Sequence, residues 1–186
     1  KFEGTVFSNN GIIHTLRKKL GIENISFFVK NETGLSELLT LLGFENVDAT
    51  NIGHATFMGC TSLETVSLPT DIVRISSSMF WGCRKITITN LAECTQLTTI
   101  GSGAFRDTSY LRFVLPDTVT TIESGAFQSA FKDGDGGSFT IGKNSQLVTI
   151  GDSAFEDCRK MPANVYIPSS VTSIGQQCFI NFVKLC

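Results

Sequence analysis

Three of the six cysteines in this 186-residue chain occupy one recurring position, each three residues after a phenylalanine: Cys60, Cys83 and Cys158. Thiols at such a position could bind a metal or react with an oxidant. No two cysteines stand in the C-x-x-C spacing typical of structural zinc sites, and free cysteine packs as a small apolar residue. We therefore predict that these three thiols are core residues.

The other cysteines differ in their surroundings. Cys178 takes a place that alanine holds in three other repeats, which predicts a further core residue. Cys94 lies in an irregular insert, and we expect its thiol to be exposed. A disulfide between Cys178 and Cys186 is an open alternative near the carboxyl end.

Few other residues are of types and spacings that could bind a metal ion or catalyse a reaction. The stretch KDGDGGS at 132–138 holds Asp133 and Asp135. A calcium site needs about six or more oxygen ligands, so we interpret this stretch as a plain turn. His14 and His54 are the only histidines, and neither lies beside a serine or cysteine in a recognised nucleophile motif. The chain is predicted to have no enzymatic activity, metal or cofactor.

The overall charge excludes two classes of partner. The formal net charge is -2 and 17% of the residues are charged, so the chain has no general attraction for nucleic acid or anionic lipid. No apolar run approaches the roughly 18–20 residues that span a bilayer. We predict neither a nucleic-acid partner nor membrane insertion.

An eight-residue motif, seen as TTIGSGAF at 98–105 and TTIESGAF at 120–127, occurs six times. In each copy an isoleucine precedes a phenylalanine by five residues, and successive copies are about 22 to 28 residues apart, a spacing typical of solenoids. Such short units bury their apolar faces only by stacking, so we predict a solenoid with the phenylalanines in one interior column. The pairs are Ile52 and Phe57, Ile75 and Phe80, Ile100 and Phe105, Ile122 and Phe127, Ile150 and Phe155, and Ile174 and Phe179.

Short stretches with alternating apolar residues lie between the motifs, among them TVSLP (65–69), FVLP (113–116) and VYIP (165–168). Alternation predicts strands with one buried face. All three stretches end at proline, which cannot donate to a strand ladder and so marks the strand exit. Each coil, meaning one turn of the solenoid, is therefore predicted to hold a strand, a corner and a return segment that carries the phenylalanine.

Two longer units, AFRDTSYLRFVLPDTVTTIESGAF and AFEDCRKMPANVYIPSSVTSIGQQCF, resemble the BspA-type leucine-rich repeat of bacterial and protist surface proteins. The resemblance covers about residues 50–186. It implies a leucine-rich-repeat solenoid of right-handed, stacked, β-rich coils with a parallel sheet on the concave face. It also implies an extracellular or cell-surface location, and adhesion or partner binding without catalysis. The chain departs from the pattern where Thr108, Ala130 and Phe182 replace the repeat cysteine.

Residues 1–50 lack the motif and are predicted to form a helical cap, or divergent first repeats, ahead of the repeats at 51–186. Helices are expected at 10–21 and 33–43, because each stretch has a periodic apolar face and ends at a glycine. A small separate α/β domain is the open alternative.

The outward side chains of the predicted sheet form the candidate binding surface. In the expected register, Ser67 and Thr87 lie in one row with Val114, Thr140 and Tyr166. Arginine and tyrosine are enriched at binding hot spots. We therefore predict that this face binds a protein or glycan on a host or neighbouring cell surface; a structural spacer in a larger cell-surface protein is the alternative. The candidate residues are Ser67, Thr87, Arg112, Val114, Thr140, Asn164 and Tyr166.

Overall fold

The computed structural model describes residues 54–61, 63–109, 111–132, 137–161 and 165–182. Within these ranges the chain winds repeatedly and stacks short parallel strands side by side, which confirms the predicted solenoid. The predicted cap at 1–50, its alternative as a separate domain, and Ile52 of the first motif copy lie outside the described residues and stay predictions.

The described residues contain three parallel sheets and a short 3-10 helix at Leu91–Glu93, and no α-helix. One sheet has five strands in the order β2-β4-β6-β8-β9, and the other two are the pairs β1-β3 and β5-β7. The strands are β1 (Thr65–Val66), β2 (Arg74–Ile75), β3 (Thr87–Ile88), β4 (Thr99–Ile100), β5 (Arg112–Leu115), β6 (Thr121–Ile122), β7 (Ser138–Ile141), β8 (Thr149–Ile150) and β9 (Ser173–Ile174).

The five-stranded sheet, which we call the motif sheet, is a feature that the sequence interpretation missed. Each motif copy from residue 73 onward begins with a two-residue strand, whereas the sequence predicted only a corner and an irregular return. The motif isoleucines from Ile75 to Ile150 point inward from this sheet and are fully buried. Ile174 in β9 is 51% exposed, because no further described coil packs against it.

The phenylalanines of the motif form one continuous column, as predicted. Neighbouring rings stack with centroids 5.3 to 5.6 Å apart and interplanar angles of 0° to 18°. Each ring is therefore shared between its own coil and the next, which buries the apolar face that a single coil leaves open. The members of this Phe column are Phe57, Phe80, Phe105, Phe127, Phe155 and Phe179.

The backbone around the Phe column alternates between right-handed and left-handed conformations. In every described coil, the residues two before and two after the column phenylalanine have positive φ, between 53° and 77°. These positions hold mainly Gly, Ser, Asp and Asn, the small and polar types that enter this region at least cost. The sequence pattern around each phenylalanine therefore follows from the shape of the turn.

This conformation aims three backbone N–H groups of each coil at the next coil. At each step, the N–H groups of the phenylalanine and of both positive-φ residues donate to carbonyls of the following coil at 2.7 to 3.1 Å. The solenoid is thus held by a hydrogen-bonded ladder on the Phe side as well as by the motif sheet. Between Phe80 and Phe105, the donors are Ser78, Phe80 and Gly82 and the acceptors are Ser102, Ala104 and Arg106.

The recurring cysteines line the interior, which confirms the core prediction for Cys60, Cys83 and Cys158. The Cys83 thiol donates to the Phe57 carbonyl at 3.0 Å, and the Cys158 thiol donates to the Phe127 carbonyl at 3.0 Å. A thiol at this position therefore satisfies a backbone acceptor as well as filling space.

Thr108 stands at the position of the recurring cysteine and donates to the Phe105 carbonyl at 2.8 Å. The hydroxyl thus donates to the phenylalanine carbonyl of its own coil, whereas the thiols of Cys83 and Cys158 donate to that of the preceding coil. This is why threonine can replace cysteine in that coil without leaving a buried polar atom unpaired.

The remaining cysteines give mixed outcomes. Cys178 is buried, as predicted, and its thiol is free, whereas its possible disulfide partner Cys186 lies outside the described residues. The predicted exposure of Cys94 is wrong, because this residue is 0% exposed. The 3-10 helix folds the insert back on the solenoid, and the Cys94 thiol lies 3.5 Å from the Asn90 carbonyl.

We expect the five described thiols to resist modification in the native protein. In a Cys186→Ser variant, an aromatic disulfide reagent at pH 8 should label no thiol within minutes, and five after denaturation. The thiolate is the reacting species, and burial raises the pKa of Cys178 to about 11 and also raises that of Cys158. Absorbance of the released thiol gives the count. Rapid native labelling of even one thiol would contradict this burial.

Candidate binding surface

The strand face consists of the outward side chains of β1, β3, β5 and β7 together with residues 165–167. Strand alternation holds here as predicted, because the intervening residues Val66, Ile88, Phe113 and Phe139 are buried. Phe113 and Phe139 meet Phe127 edge-on at 5.3 and 5.0 Å. Aromatic packing therefore fixes the strands to the Phe column, and this packing makes the strand face rigid.

The predicted site residues differ in how far they reach solvent. Arg112 and Thr140 are exposed, Val114 is 64% exposed and Tyr166 is 51% exposed. Ser67 and Thr87 are only half-buried positions at the other end of the face. Asn164 lies outside the described residues. The accessible part of the predicted site is thus concentrated at β5, β7 and the segment that follows in the next coil.

The pairing of β5 with β7 matches the predicted rows. Arg112 aligns with Ser138, and Val114 aligns with Thr140. A cation and a bare aliphatic side chain on one strand are thus set directly beside two hydroxyl groups on the other.

The predicted pairing of Ser67 with Thr87 is wrong, because Thr87 aligns with Thr65. The Asn90 side chain takes the place of a strand partner for Leu68: it accepts from the Leu68 N–H at 2.8 Å and donates to the Leu68 carbonyl at 2.7 Å. A shift by two residues keeps the same side chains inside, so hydrophobic alternation does not distinguish the two registers.

The prediction of one continuous parallel sheet on this face is also wrong. The ladder stops between β3 and β5, and residues 165–168 form no strand. Between β3 and β5 the chain forms the 3-10 helix Leu91–Glu93, and it lacks the proline exit found at Pro69, Pro116 and Pro168. The strand face is consequently two paired-strand patches, of which β5–β7 is the longer.

Charge on the strand face is sparse. The Lys85 ammonium lies 3.9 Å from the Glu64 carboxylate, and both side chains are well exposed. Such a pair contributes little to stability. The exposed guanidinium of Arg112 stands beside apolar Val114. This combination of side chains is better suited to contact with a partner surface than to catalysis.

Charged groups on the motif sheet are engaged within the fold. Both terminal nitrogens of Arg74 donate to the two carboxylate oxygens of Glu123, at 2.7 and 2.6 Å, and the Ser102 N–H donates to the same carboxylate at 3.0 Å. The hydrogen bonds from Arg74 lower the pKa of the Glu123 carboxyl. This cluster joins three successive coils.

The structure describes only some of the residues on which the metal-site and membrane predictions depend. In the ranges that the structure describes, no group of three or more His, Cys, Asp or Glu side chains could hold a metal ion. Asp133 and Asp135 lie outside those ranges, so the plain-turn interpretation of KDGDGGS stays a prediction. Among the described residues, no helix has the length and apolar character to cross a bilayer.

Comparison with known proteins adds a family match. A family model described as the BspA type leucine rich repeat region matches the chain in six copies, over residues 38–134 and 128–186. No curated protein matches the chain.

Two solved structures are similar to part of this chain. A leucine rich cell surface protein from Faecalibacterium prausnitzii A2-165 is 26% identical, with a TM-score of 0.49 over 69% of this chain and 40% of its own. A leucine-rich repeat protein from Bacteroides ovatus ATCC 8483 is 20% identical, with a TM-score of 0.42 over 67% of this chain and 42% of its own. The chain thus spans less than half the length of either protein.

Proposed function

Because this chain belongs to the BspA-type leucine-rich repeat family, we propose that it is a non-catalytic module that binds a partner through the strand face. The partner is a protein or glycan outside the cell, on a host or neighbouring cell surface. The family resemblance to surface proteins supports that location. The exposed side-chain types favour a protein.

The observation that carries this proposal is the composition of the β5–β7 patch. Val114 is 64% exposed in the middle of a four-residue strand, with Arg112 exposed on the same face and Thr140 directly opposite. In one contact, the aliphatic side chain of Val114 can exclude water while the neighbouring guanidinium and hydroxyl form directed hydrogen bonds. Arginine and tyrosine, here Arg112 and Tyr166, are the types most enriched among hot-spot residues.

Rigidity of the patch favours binding. The β5–β7 pair is hydrogen-bonded along its whole length, and its inward rings Phe113 and Phe139 stack on each other at 5.9 Å. A surface whose backbone is already ordered loses little conformational entropy when a partner docks. The stacked coils therefore act as a scaffold that presents a preformed contact area.

We test the proposal with paired substitutions. The variant Arg112→Ala/Val114→Ser removes the exposed cation and aliphatic group from the strand face. It should weaken binding to immobilised extracellular-matrix proteins roughly tenfold, as expected for hot-spot residues. Surface plasmon resonance with the full chain gives the affinity.

Val73→Ser is the matched control, because Val73 is 54% exposed at the edge of the motif sheet, away from β5 and β7. It should leave the affinity unchanged. Equal weakening by both variants would contradict a site on the strand face. A folded wild-type chain that binds neither matrix proteins nor arrayed glycans would favour the spacer role.

A further inference from the structure

A groove of about 390 Å³ lies beside the Phe column, on the segments that run from each column phenylalanine toward the next strand of the strand face. Its walls come from successive coils, with Trp81, Asp107 and Ser129 next to the column and Arg84 and Lys132 farther along. This volume lies within the usual range for small-ligand sites. The groove shares no lining residue with the site proposed above for partner binding.

The groove exists because two coils carry glycine where later coils carry side chains. Gly59 and Gly82 occupy the position two residues after the column phenylalanine, which is Asp107 and Ser129 in the next two coils. A Cβ at Gly59 would meet nothing within 4 Å. The floor at this end is therefore bare backbone, and a ligand can approach closely.

One aromatic ring with a fixed orientation, that of Trp81, is found among the described residues that line the groove. The Trp81 Nε1–H donates to Asp107 Oδ2 at 2.9 Å, and the Arg106 guanidinium lies over the ring at 4.7 Å from the centroid. These contacts hold the half-buried indole in place before any ligand arrives. A rigid aromatic surface of this kind suits the apolar C–H face of a sugar ring, because stacking then costs little side-chain entropy.

The described lining residues of the groove carry a net positive charge. Arg84 and Lys132 are exposed cations on its walls, whereas its one described carboxylate, on Asp107, is engaged by Trp81 and lies 3.7 Å from Arg106 Nε. Basic side chains in the same groove as an aromatic ring can bind a carboxylate or sulfate group on the molecule that stacks there. The hydroxyl of Ser129 adds a partner for sugar hydroxyls.

We propose that this groove binds an acidic glycan, a sugar chain that bears carboxylate or sulfate groups. A sugar ring stacks on Trp81, and the acidic substituents of the sugar chain pair with Arg84 and Lys132. The site uses no residue of the strand face, so binding here is independent of the partner-binding function proposed above.

Trp81 is the only tryptophan of the chain, so its fluorescence reports directly on the groove. Titration of the full chain with a hyaluronan hexasaccharide (carboxylate) and a chondroitin sulfate hexasaccharide (carboxylate and sulfate) should change the emission saturably with at least one of them. Neutral maltohexaose and the acidic peptide hexaglutamate should bind at least tenfold more weakly. The two acidic sugars distinguish which anionic group is preferred.

Arg84→Ala and Lys132→Ala should each weaken acidic-sugar binding roughly tenfold, as expected for loss of a charge-assisted hydrogen bond. Lys143→Ala removes an exposed lysine outside the groove and should change nothing. Arg112→Ala/Val114→Ser should also bind the acidic sugar normally, which separates failure of this site from failure of the strand face. Trp81→Phe, read by calorimetry, should bind more weakly.

Three results would overturn the proposal: hexaglutamate binding as tightly as the acidic sugars, an equal loss from Lys143→Ala, or no acidic-sugar binding by both fluorescence and calorimetry. The first would instead make the groove a site for acidic peptides.

Discussion

Replacement of Phe127 by alanine should lower the free energy of unfolding by about 3–5 kcal/mol, the usual cost of truncating a buried aromatic residue. Phe105 and Phe155 stack on its two faces at 5.3 Å each. Phe113 and Phe139 meet it edge-on at 5.3 and 5.0 Å. Deletion of this ring removes contacts within the coil and with both neighbouring coils, so the loss should be cooperative.

Urea denaturation followed by far-ultraviolet circular dichroism measures this loss. Phe127→Leu keeps most of the apolar volume but not the flat ring, so it should lose less stability than Phe127→Ala. Phe179→Ala is the positional control, because Phe179 is half-buried and stacks with one column neighbour, Phe155. A smaller loss at Phe127 than at Phe179 would contradict the account of a column shared between coils, in which interior rings contribute most.

The Phe column could be predicted because its signal repeats. One apolar pair separated by five residues is weak evidence, but its recurrence six times at solenoid spacing leaves stacking as the only arrangement that buries every copy. The motif sheet escaped prediction for the opposite reason. Its strands are two residues long, as at Thr99–Ile100, and alternation cannot be seen in so short a segment.

Outward residues of the strand face were predictable to different degrees. Arg112 and Val114 lie on a four-residue strand, where alternation determines the exposed face. The predicted register that paired Ser67 with Thr87 was wrong, because the side chain of Asn90 replaces a strand partner. Hydrogen bonds from a side chain to a distant backbone leave no periodic signal in the sequence. The prediction that Cys94 is exposed was also wrong, because an irregular insert can still be buried.

The groove was not predicted from the sequence, because its residues come from different coils and each lies after the phenylalanine that ends the motif. In retrospect, the pattern two residues after each phenylalanine was informative. Glycine there at Gly59 and Gly82, followed by Asp107 and Ser129, marks a change in side-chain volume along one row of the solenoid. Comparison of the same position across repeats can therefore reveal a depression that the repeat consensus hides.

Substitution of Gly151 by alanine should destabilise the fold by about 1–3 kcal/mol, the range found for overpacked interiors. Gly151 follows the last residue of β8, and its N–H donates to the Ile122 carbonyl at 2.8 Å. A Cβ at this position would lie 2.6 Å from the Ser124 nitrogen and 2.8 Å from the Glu123 carbonyl carbon. Both are backbone atoms of the preceding coil, so the clash is relieved only by separating the coils and stretching that hydrogen bond.

Gly59→Ala is the matched control for Gly151→Ala, because Gly59 has φ of +75° but open space around its Cβ position. It tests backbone conformation without crowding and should cost about 1–2 kcal/mol. A second pair of variants, Gly151→Val and Gly59→Asn, distinguishes crowding from the cost of positive φ. Crowding predicts a further loss for the first, whereas asparagine, which tolerates positive φ, should recover stability at the second. Urea midpoints for the four variants measure this, and equal stability of Gly151→Ala and wild type would show that adjacent coils are not in close backbone contact at β8.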